Sequence, residues 1–248
     1  MDAFSAYMPV DRRHALARGE SLPTSTRGAV LITDISGFTT LTEELVGTLG
    51  VQRGSEELSR HLNNVYGILI EQVMKYGGSV VVSAGDALLS WFDGAEKAAA
   101  LSALTAAFEM KNAMAAFSTI ALANGEAVQL NIKSAVVSGR AFRFVVGSPD
   151  MQVFDVLAGS LLDRLDQVES VAHRGEILLG TETAQMVGNE AAVIERRQSK
   201  AGTPVAVIGS LTRPSDPKPW PALDSELSNQ QIKPWLHPSI YEHIQSGQ

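Results

Sequence analysis

Gly28-Ala-Val-Leu-Ile-Thr-Asp34-Ile-Ser-Gly-Phe-Thr39 is the stretch that decides how this chain folds. A short apolar run ends on a carboxylate, which reads as a buried strand. Ser36-Gly37 then breaks the run, and a helix begins over Thr39 to Leu49. Ser and Gly at that point force a tight turn whose backbone N–H groups can face an anion. A carboxylate beside such a turn suits a divalent ion shared with phosphate oxygens. Taken alone, Asp34 would serve equally well as a cap for the following helix.

Outward from this stretch, Glu56 to Tyr76 places Leu58, Leu62, Val65, Leu69, Ile70 and Val73 at amphipathic spacing, and Gly77-Gly78 ends that helix. Ser79–Val82 and Ala87–Phe92 read as a hairpin with Ser83, Ala84, Gly85 and Asp86 in its turn. Asp86 alone is an ordinary turn residue. Its force comes from the pairing with Asp34: two carboxylates at the ends of neighbouring apolar strands, with one helix between. In-line phosphoryl transfer with two metals needs such a pair, about 4 Å between the metals. Further on, Glu96 to Leu122 reads as a long Ala-rich helix. Val128–Val137 and Phe142–Val146 read as strands turning at Ser138-Gly139, and Met151–Leu157 as a strand. Leu161–Ala172 reads as a helix, Glu176–Leu179 as a strand and Thr181–Val187 as a short helix. Strands interleaved with helices and hairpins predict an α+β sandwich with a mixed or antiparallel sheet.

The flanks differ in character. Residues 1–26 read as an irregular lead-in, and 27–208 as the folded domain. Residues 209–248 read as a linker or arm: four prolines fall within 213–221, Trp220, Pro234 and Trp235 follow, and Pro238–Ile244 is a short amphipathic piece. The whole has 248 residues, is 45% hydrophobic and carries a net charge of −7. That size and composition suit one large domain with a tail. No Lys/Arg run is present, which argues against a nucleic-acid partner. There is no cysteine, so disulfides, thiolate zinc sites and cysteine nucleophiles are excluded, and a cytoplasmic location is expected. No apolar stretch reaches membrane-spanning length. The five histidines, His14, His61, His173, His237 and His243, lack ligand spacing and read as structural or surface residues. Met74, Met110 and Met114 read as core filler. Glu43, Glu44, Glu56 and Glu57 read as a solvated helix face, and Arg140 and Arg143 as exposed residues after the 138–139 turn. No Ser-His-Asp arrangement and no GxxxxGK[ST] loop is present.

Two runs carry a resemblance to a known family. VLITDISGFTTLT (Val30–Thr42) and YGGSVVVSAGDALLSW (Tyr76–Trp91) are similar to class III adenylyl and guanylyl cyclase catalytic domains. They most resemble the first, metal-bearing domain of the soluble, bicarbonate-responsive type and its bacterial relatives. The likeness covers roughly Arg27 to Val187. The Pro/Trp-rich tail also resembles the linker that leads to a second cyclase domain in those proteins. The resemblance implies a ferredoxin-like βαββαβ core that pairs head to tail with a second cyclase domain, in tandem or as a homodimer. It implies Mg²⁺ or Mn²⁺, two ions per site, held by Asp34, Asp86 and the carbonyl of Ile35. Ser36, Gly37, Phe38 and Thr39 would hold the β- and γ-phosphates of ATP, with Gly85 beside the second aspartate. Lys133 matches a phosphate-binding cation six positions before a hairpin glycine, here Gly139; read without the family, it is a solvated edge lysine.

The partner-side residues of the family are missing. The adenine-reading lysine falls at Val82, and the second base reader falls at Val156, one place from Asp155. The ribose-orienting Asn falls at Asp163, and the Arg that faces the transition state falls at Gln167. A bicarbonate site would need basic residues at Val82 and near Asp166, so none is expected. Two functions follow: the metal-bearing half of an adenylyl cyclase, nearly inactive alone, or a degenerate cyclase-like domain that binds nucleotide or a partner and regulates. A guanylyl substrate stays open, since the partner would read the base.

Overall fold

The structure is a computed structural model and describes residues 8–115, 119–121, 125 and 127–245. Its elements follow in order. A short helix α1 (Val10–Ala17) precedes strand β1 (Ser25–Ser36). Helices α2 (Phe38–Leu49) and α3 (Val51–Lys75) lead to the hairpin β2 (Ser79–Ala84) and β3 (Ala87–Asp93). Helix α4 (Glu96–Met114), the short strands β4 (Thr119–Ala121) and β5 (Ala127–Gln129), and the long β6 (Asn131–Ser148) come next. Then follow β7 (Gln152–Ala158), α5 (Ser160–Glu169), β8 (Ile177–Gly180), α6 (Thr181–Val187), β9 (Ala191–Gln198) and β10 (Pro204–Leu211). The arm carries α7 (Asn229–Ile232) and α8 (Pro238–Gln245).

Among the described residues, eight strands form one sheet in the order β2-β3-β1-β6-β8-β10-β9, with β7 on the outer part of β6. The pairings are antiparallel except β6 with β8. This is the expected α+β class, with β1-α2/α3-β2-β3-α4-β6 as its βαββαβ core. Alternation along β1 explains the two layers. Ala29, Leu31 and Ile35 face α2, α3 and α4. Val30 and Ile32 face α5 with Ala135, Val137, Leu161 and Leu165. Ala99, Ala100, Ala103, Ala106 and Ala107 of α4 are all buried, and their small side chains let that helix lie close to the sheet. Val65, Leu69 and Val73 form the buried stripe of α3. Gly54 sits where α3 crosses α2, since a Cβ there would stand 2.8 Å from the Leu45 carbonyl oxygen.

Several expectations need correction. The helix after Glu96 stops at Met114, and residues 119–121 are a strand; 116–118 and 122 lie outside the described residues. Nothing turns at Ser138-Gly139, because β6 runs unbroken from 131 to 148. Gly139 instead sits within the strand at φ +153°, which side chains rarely adopt, and a Cβ there would stand 3.3 Å from Leu161 Cδ1 of α5. Residues 10–17 of the lead-in are helical; residues 1–7 lie outside the described residues. The arm folds back over the domain. Lys218 N–H donates to Lys75 O at 2.8 Å, and Trp220 Nε1 donates to Gly78 O at 2.8 Å. Gln231 Nε2 reaches Leu16 O, Trp220 stacks on His14, and Trp235 lies under the Arg12 guanidinium.

Candidate active site

The two aspartates are brought together by strand pairing. Asp34 is the register partner of Ala87, the first residue of β3, so the β2–β3 turn lies beside the end of β1. Ile35 N–H donates to the carbonyl of Asp86 at 2.9 Å, which hooks the turn to the strand. The Tyr66 hydroxyl of α3 donates to Gly85 O and holds the same turn from the helix side. Burial raises the Tyr66 pKa, and the charges of Asp86 and Asp34 raise it further, so the phenol stays a donor. Tyr66 was not foreseen, because an aromatic in a long helix reads first as core.

Asp34 does not cap α2. Gly37 holds the N-cap position with φ 103°, and no side chain caps the helix. A Cβ on Gly37 would lie 2.5 Å from Gln129 O, so only glycine fits. The capping explanation for Asp34 therefore falls away. The first N–H groups of α2 receive no side-chain cap, as a phosphate-facing turn requires. The Ser36 hydroxyl donates to Asn131 O at 3.2 Å. Phe38, Thr39, Gly85 and Asp86 line one cleft of about 540 Å³ with Thr42, Glu43, Leu58 and Leu62.

By alternation Asp34 shares the α5 face with Lys133, its register partner on β6. Lys133 Nζ lies 3.2 Å from Asp34 Oδ2 and 2.5 Å from Glu169 Oε1 at the end of α5. Lys133 is not an edge lysine: β6 lies between β1 and β8. Burial works against its charge, but Glu169 and Asp34 outweigh that and raise its pKa. Burial raises the Asp34 pKa; Lys133 opposes the rise, while Asp86 and Glu169 add to it. Asp34 is thus a carboxylate under electrostatic load, which a divalent cation would relieve.

The donor set fits such a cation. Two carboxylates and nearby main-chain oxygens are hard ligands of the kind Mg²⁺ and Mn²⁺ take. Among the described residues, no group of three or more His, Asp or Glu side chains could hold a metal. A two-carboxylate site completes its shell with water and substrate phosphate, the usual habit of Mg²⁺.

The base-reading positions are a different case. Val82 is 39% exposed and offers no hydrogen bond. Val156 pairs with Phe144. Asp155 is buried on the other face and spends both oxygens, on Arg143 and Arg12. Arg143, expected as an exposed residue, is 3% exposed and also grips Asp11. Asp163 is exposed, and Gln167 Oε1 accepts from Thr203 at 2.7 Å.

Two apposed strand ends on this α+β fold thus present paired carboxylates, an uncapped glycine turn and a cation together. The sequence profile of the adenylate and guanylate cyclase catalytic domain matches residues 23–202, and the chain belongs to that family. Adenylate cyclase type 10 of Mus musculus is 24% identical over 181 residues, 73% of this chain and 11% of that protein. The human protein of the same name is 40% identical over 63 residues, 25% of this chain and 4% of that protein. The chain thus spans about a tenth of the length of the mouse protein. Among solved structures, the adenylyl cyclase CyaB from P. aeruginosa superposes with TM-score 0.63 at 21% identity, covering 76% of this chain and 96% of that one. The guanylyl cyclase Cya2 gives 0.61 at 19% identity, covering 77% and 95%. Both base specificities occur on this fold, so the likeness to solved structures fixes architecture and leaves the base undecided.

Proposed function

We propose that this chain is the metal-bearing half of a nucleotidyl cyclase that converts ATP to 3′,5′-cyclic AMP and pyrophosphate. The observation that carries the reading is the convergence of Asp34, Asp86 and Lys133 at the ends of β1, β3 and β6, beside the uncapped Gly37 turn. The ribose 3′ oxygen attacks the α-phosphorus as its hydroxyl proton passes to Asp34 or to a water, the bond from that phosphorus to the bridging oxygen breaks, and pyrophosphate leaves. Two bound Mg²⁺ or Mn²⁺ ions would supply Lewis acidity toward the 3′ hydroxyl and charge neutralisation on the triphosphate. Asp34 and Asp86, with the Ile35 carbonyl, would hold the ions. Ser36 to Thr39 and Gly85 seat the β- and γ-phosphates, and Lys133 adds one positive charge to them.

The adenine and the developing charge on the α-phosphate need donors that this chain lacks at Val82, Val156 and Gln167. A neutral amide does not replace a cation against that charge. A complementary cyclase domain therefore supplies them. An exposed apolar face on the β6–β7 hairpin supports pairing: Phe142, Phe144 and Phe154 are 42%, 43% and 53% exposed. Contiguous patches of this kind mark interaction surfaces. A cytoplasmic setting accords with this reading, and among the described residues no helix is long and apolar enough to cross a membrane.

The test is reconstitution. The 248-residue chain alone is expected to make very little cyclic AMP or cyclic GMP with Mg²⁺ or Mn²⁺. Mixed with a cyclase domain that carries the base-reading lysine and the transition-state arginine, it is expected to turn over ATP, and Asp34→Ala or Asp86→Ala abolishes that activity. Normal turnover by the chain alone would sink the half-site reading. No turnover in any mixture, with nucleotide still bound, would make it a regulatory binding domain.

A further inference from the structure

We infer that Glu169 is a positioning residue for Lys133, holding its ammonium at the rim of the metal site and drawing it off Asp34 when a cation arrives. This rests on the metal-bearing reading of Asp34 and Asp86 given above.

A lysine placed beside a metal-binding carboxylate creates a competition. The ammonium and the cation seek the same oxygens. With Asp34 as its sole acceptor, Lys133 would settle on that carboxylate and oppose metal entry. Glu169 provides a second acceptor. Its oxygen lies closer to Nζ than that of Asp34, 2.5 Å against 3.2 Å. An ammonium has three donors and can hold both carboxylates at once, then keep one when the other is taken. Coulomb attraction falls with distance, so the shorter contact is the one that persists.

The scaffold fixes this arrangement. Glu169 is the last residue of α5, and Leu165 and Val168 anchor that turn in the core beneath the sheet. Side-chain exposures of 24% for Lys133 and 22% for both acids place the trio partly out of water. Pairs in such surroundings keep more of their attraction than fully exposed pairs do. Lys133 is therefore available for the triphosphate without blocking the metal.

The test is calorimetric binding of Mn²⁺ alone, and of Mn²⁺ with a non-cyclisable ATP analogue, to the full chain. Asp34→Asn and Asp86→Asn should abolish Mn²⁺ binding. Glu169→Gln should weaken Mn²⁺ alone about tenfold, the low end for loss of a partner that orients a metal site. Glu169→Asp should restore most of it. In the background of Lys133→Met, Glu169→Gln should cost nothing, because the competing ammonium is gone; a merely structural role for Glu169 would persist there. Mn²⁺ binding that depends on Asp34 but is unchanged by Glu169→Gln overturns this inference alone. So does an equal loss in the Lys133→Met background. Absence of Mn²⁺ binding by the unmodified chain, or binding indifferent to Asp34 and Asp86, overturns the metal-bearing reading and this inference with it.

Discussion

Removing the Arg143 guanidinium should cost this domain a large share of its stability. Arg143 Nε donates to Asp155 Oδ1 at 2.7 Å and Nη2 to Asp155 Oδ2 at 3.1 Å. Nη2 also reaches Asp11 Oδ1 at 3.0 Å, and Arg12 Nε binds Asp155 Oδ2 at 2.8 Å. Side-chain exposures are 2% for Arg143, 0% for Asp155, 8% for Arg12 and 9% for Asp11. Burial works against the charge on Arg143, but its bonds to Asp11 and Asp155 overcome this and push its pKa up. In Arg143→Met, Asp11 and Asp155 would lose the guanidinium that bridges them, leaving their charge less well compensated in a dry site. Breaking a buried pair from one side costs about 3–5 kcal/mol. For a chain of this size each kcal/mol moves Tm by about 2–4 °C, so the melting point should fall by about 6–20 °C. Urea unfolding followed by circular dichroism, with a thermal scan, measures both. Arg143→Met/Asp155→Leu removes one charge of each sign and should recover part of the loss, with a coupling of about 1–3 kcal/mol. A single-variant cost below about 1 kcal/mol would place the network among weak solvated pairs and refute the argument. Simple additivity in the double variant would refute it too.

Three other perturbations follow from the same structure. Trp220→Ala removes the hydrogen bond to Gly78 O and the stack on His14, and should cost about 2 kcal/mol, read as a lower urea midpoint. Gly28→Ala puts a Cβ 2.1 Å from the Phe92 carbonyl oxygen, where backbone blocks it; a loss of about 3 kcal/mol or more is expected, while Gly47→Ala, with open space around it, should be neutral or stabilising in the same assay. Asp34 has a raised pKa in the folded chain, chiefly from burial, so its protonated form favours the metal-free fold. Its favourable contribution is full below its unfolded pKa and is lost as pH rises through the folded value. Metal-free Asp34→Asn should therefore melt higher than the unmodified chain at neutral pH and no higher in acid. Mn²⁺ affinity should fall at a higher pH than an ordinary carboxylate would give, read by calorimetry across the acidic range.

How far the sequence reached follows from where each signal is stored. The placing of Asp34 and Asp86 at apposed strand ends was legible because each lies in a contiguous run in which a strand ends, a glycine turns and a carboxylate stands at the bend. β9 was not legible: Ala191 to Gln198 reads Ala-Ala-Val-Ile-Glu-Arg-Arg-Gln, and an edge strand with charged residues on it lacks clean alternation. Gly139 reads as a turn in the sequence because glycine in a strand has two meanings, a bend or a special position within a continuous strand, and only the pairing of β6 with β1 through Gly139 decides between them. Arg143 looked exposed for the same reason, since its partners Asp11 and Asp155 come from a distant helix and from the strand across the hairpin.

Asp155 shows what is at stake in that difference. In the sequence it is an acid one residue away from a base-reading position, close enough to invite a shift of alignment. Alternation alone sends its side chain to the face opposite Val156. The structure shows what occupies it there: two guanidiniums that use both of its oxygens, beneath α1 and the Trp235 segment of the arm. An acid so committed has nothing left for a purine. Neither Asp155 nor Val156 therefore offers a free polar group to a base. Val156 has no polar group and Asp155 has none to spare, and on the function proposed above that is what a complementary domain would make good.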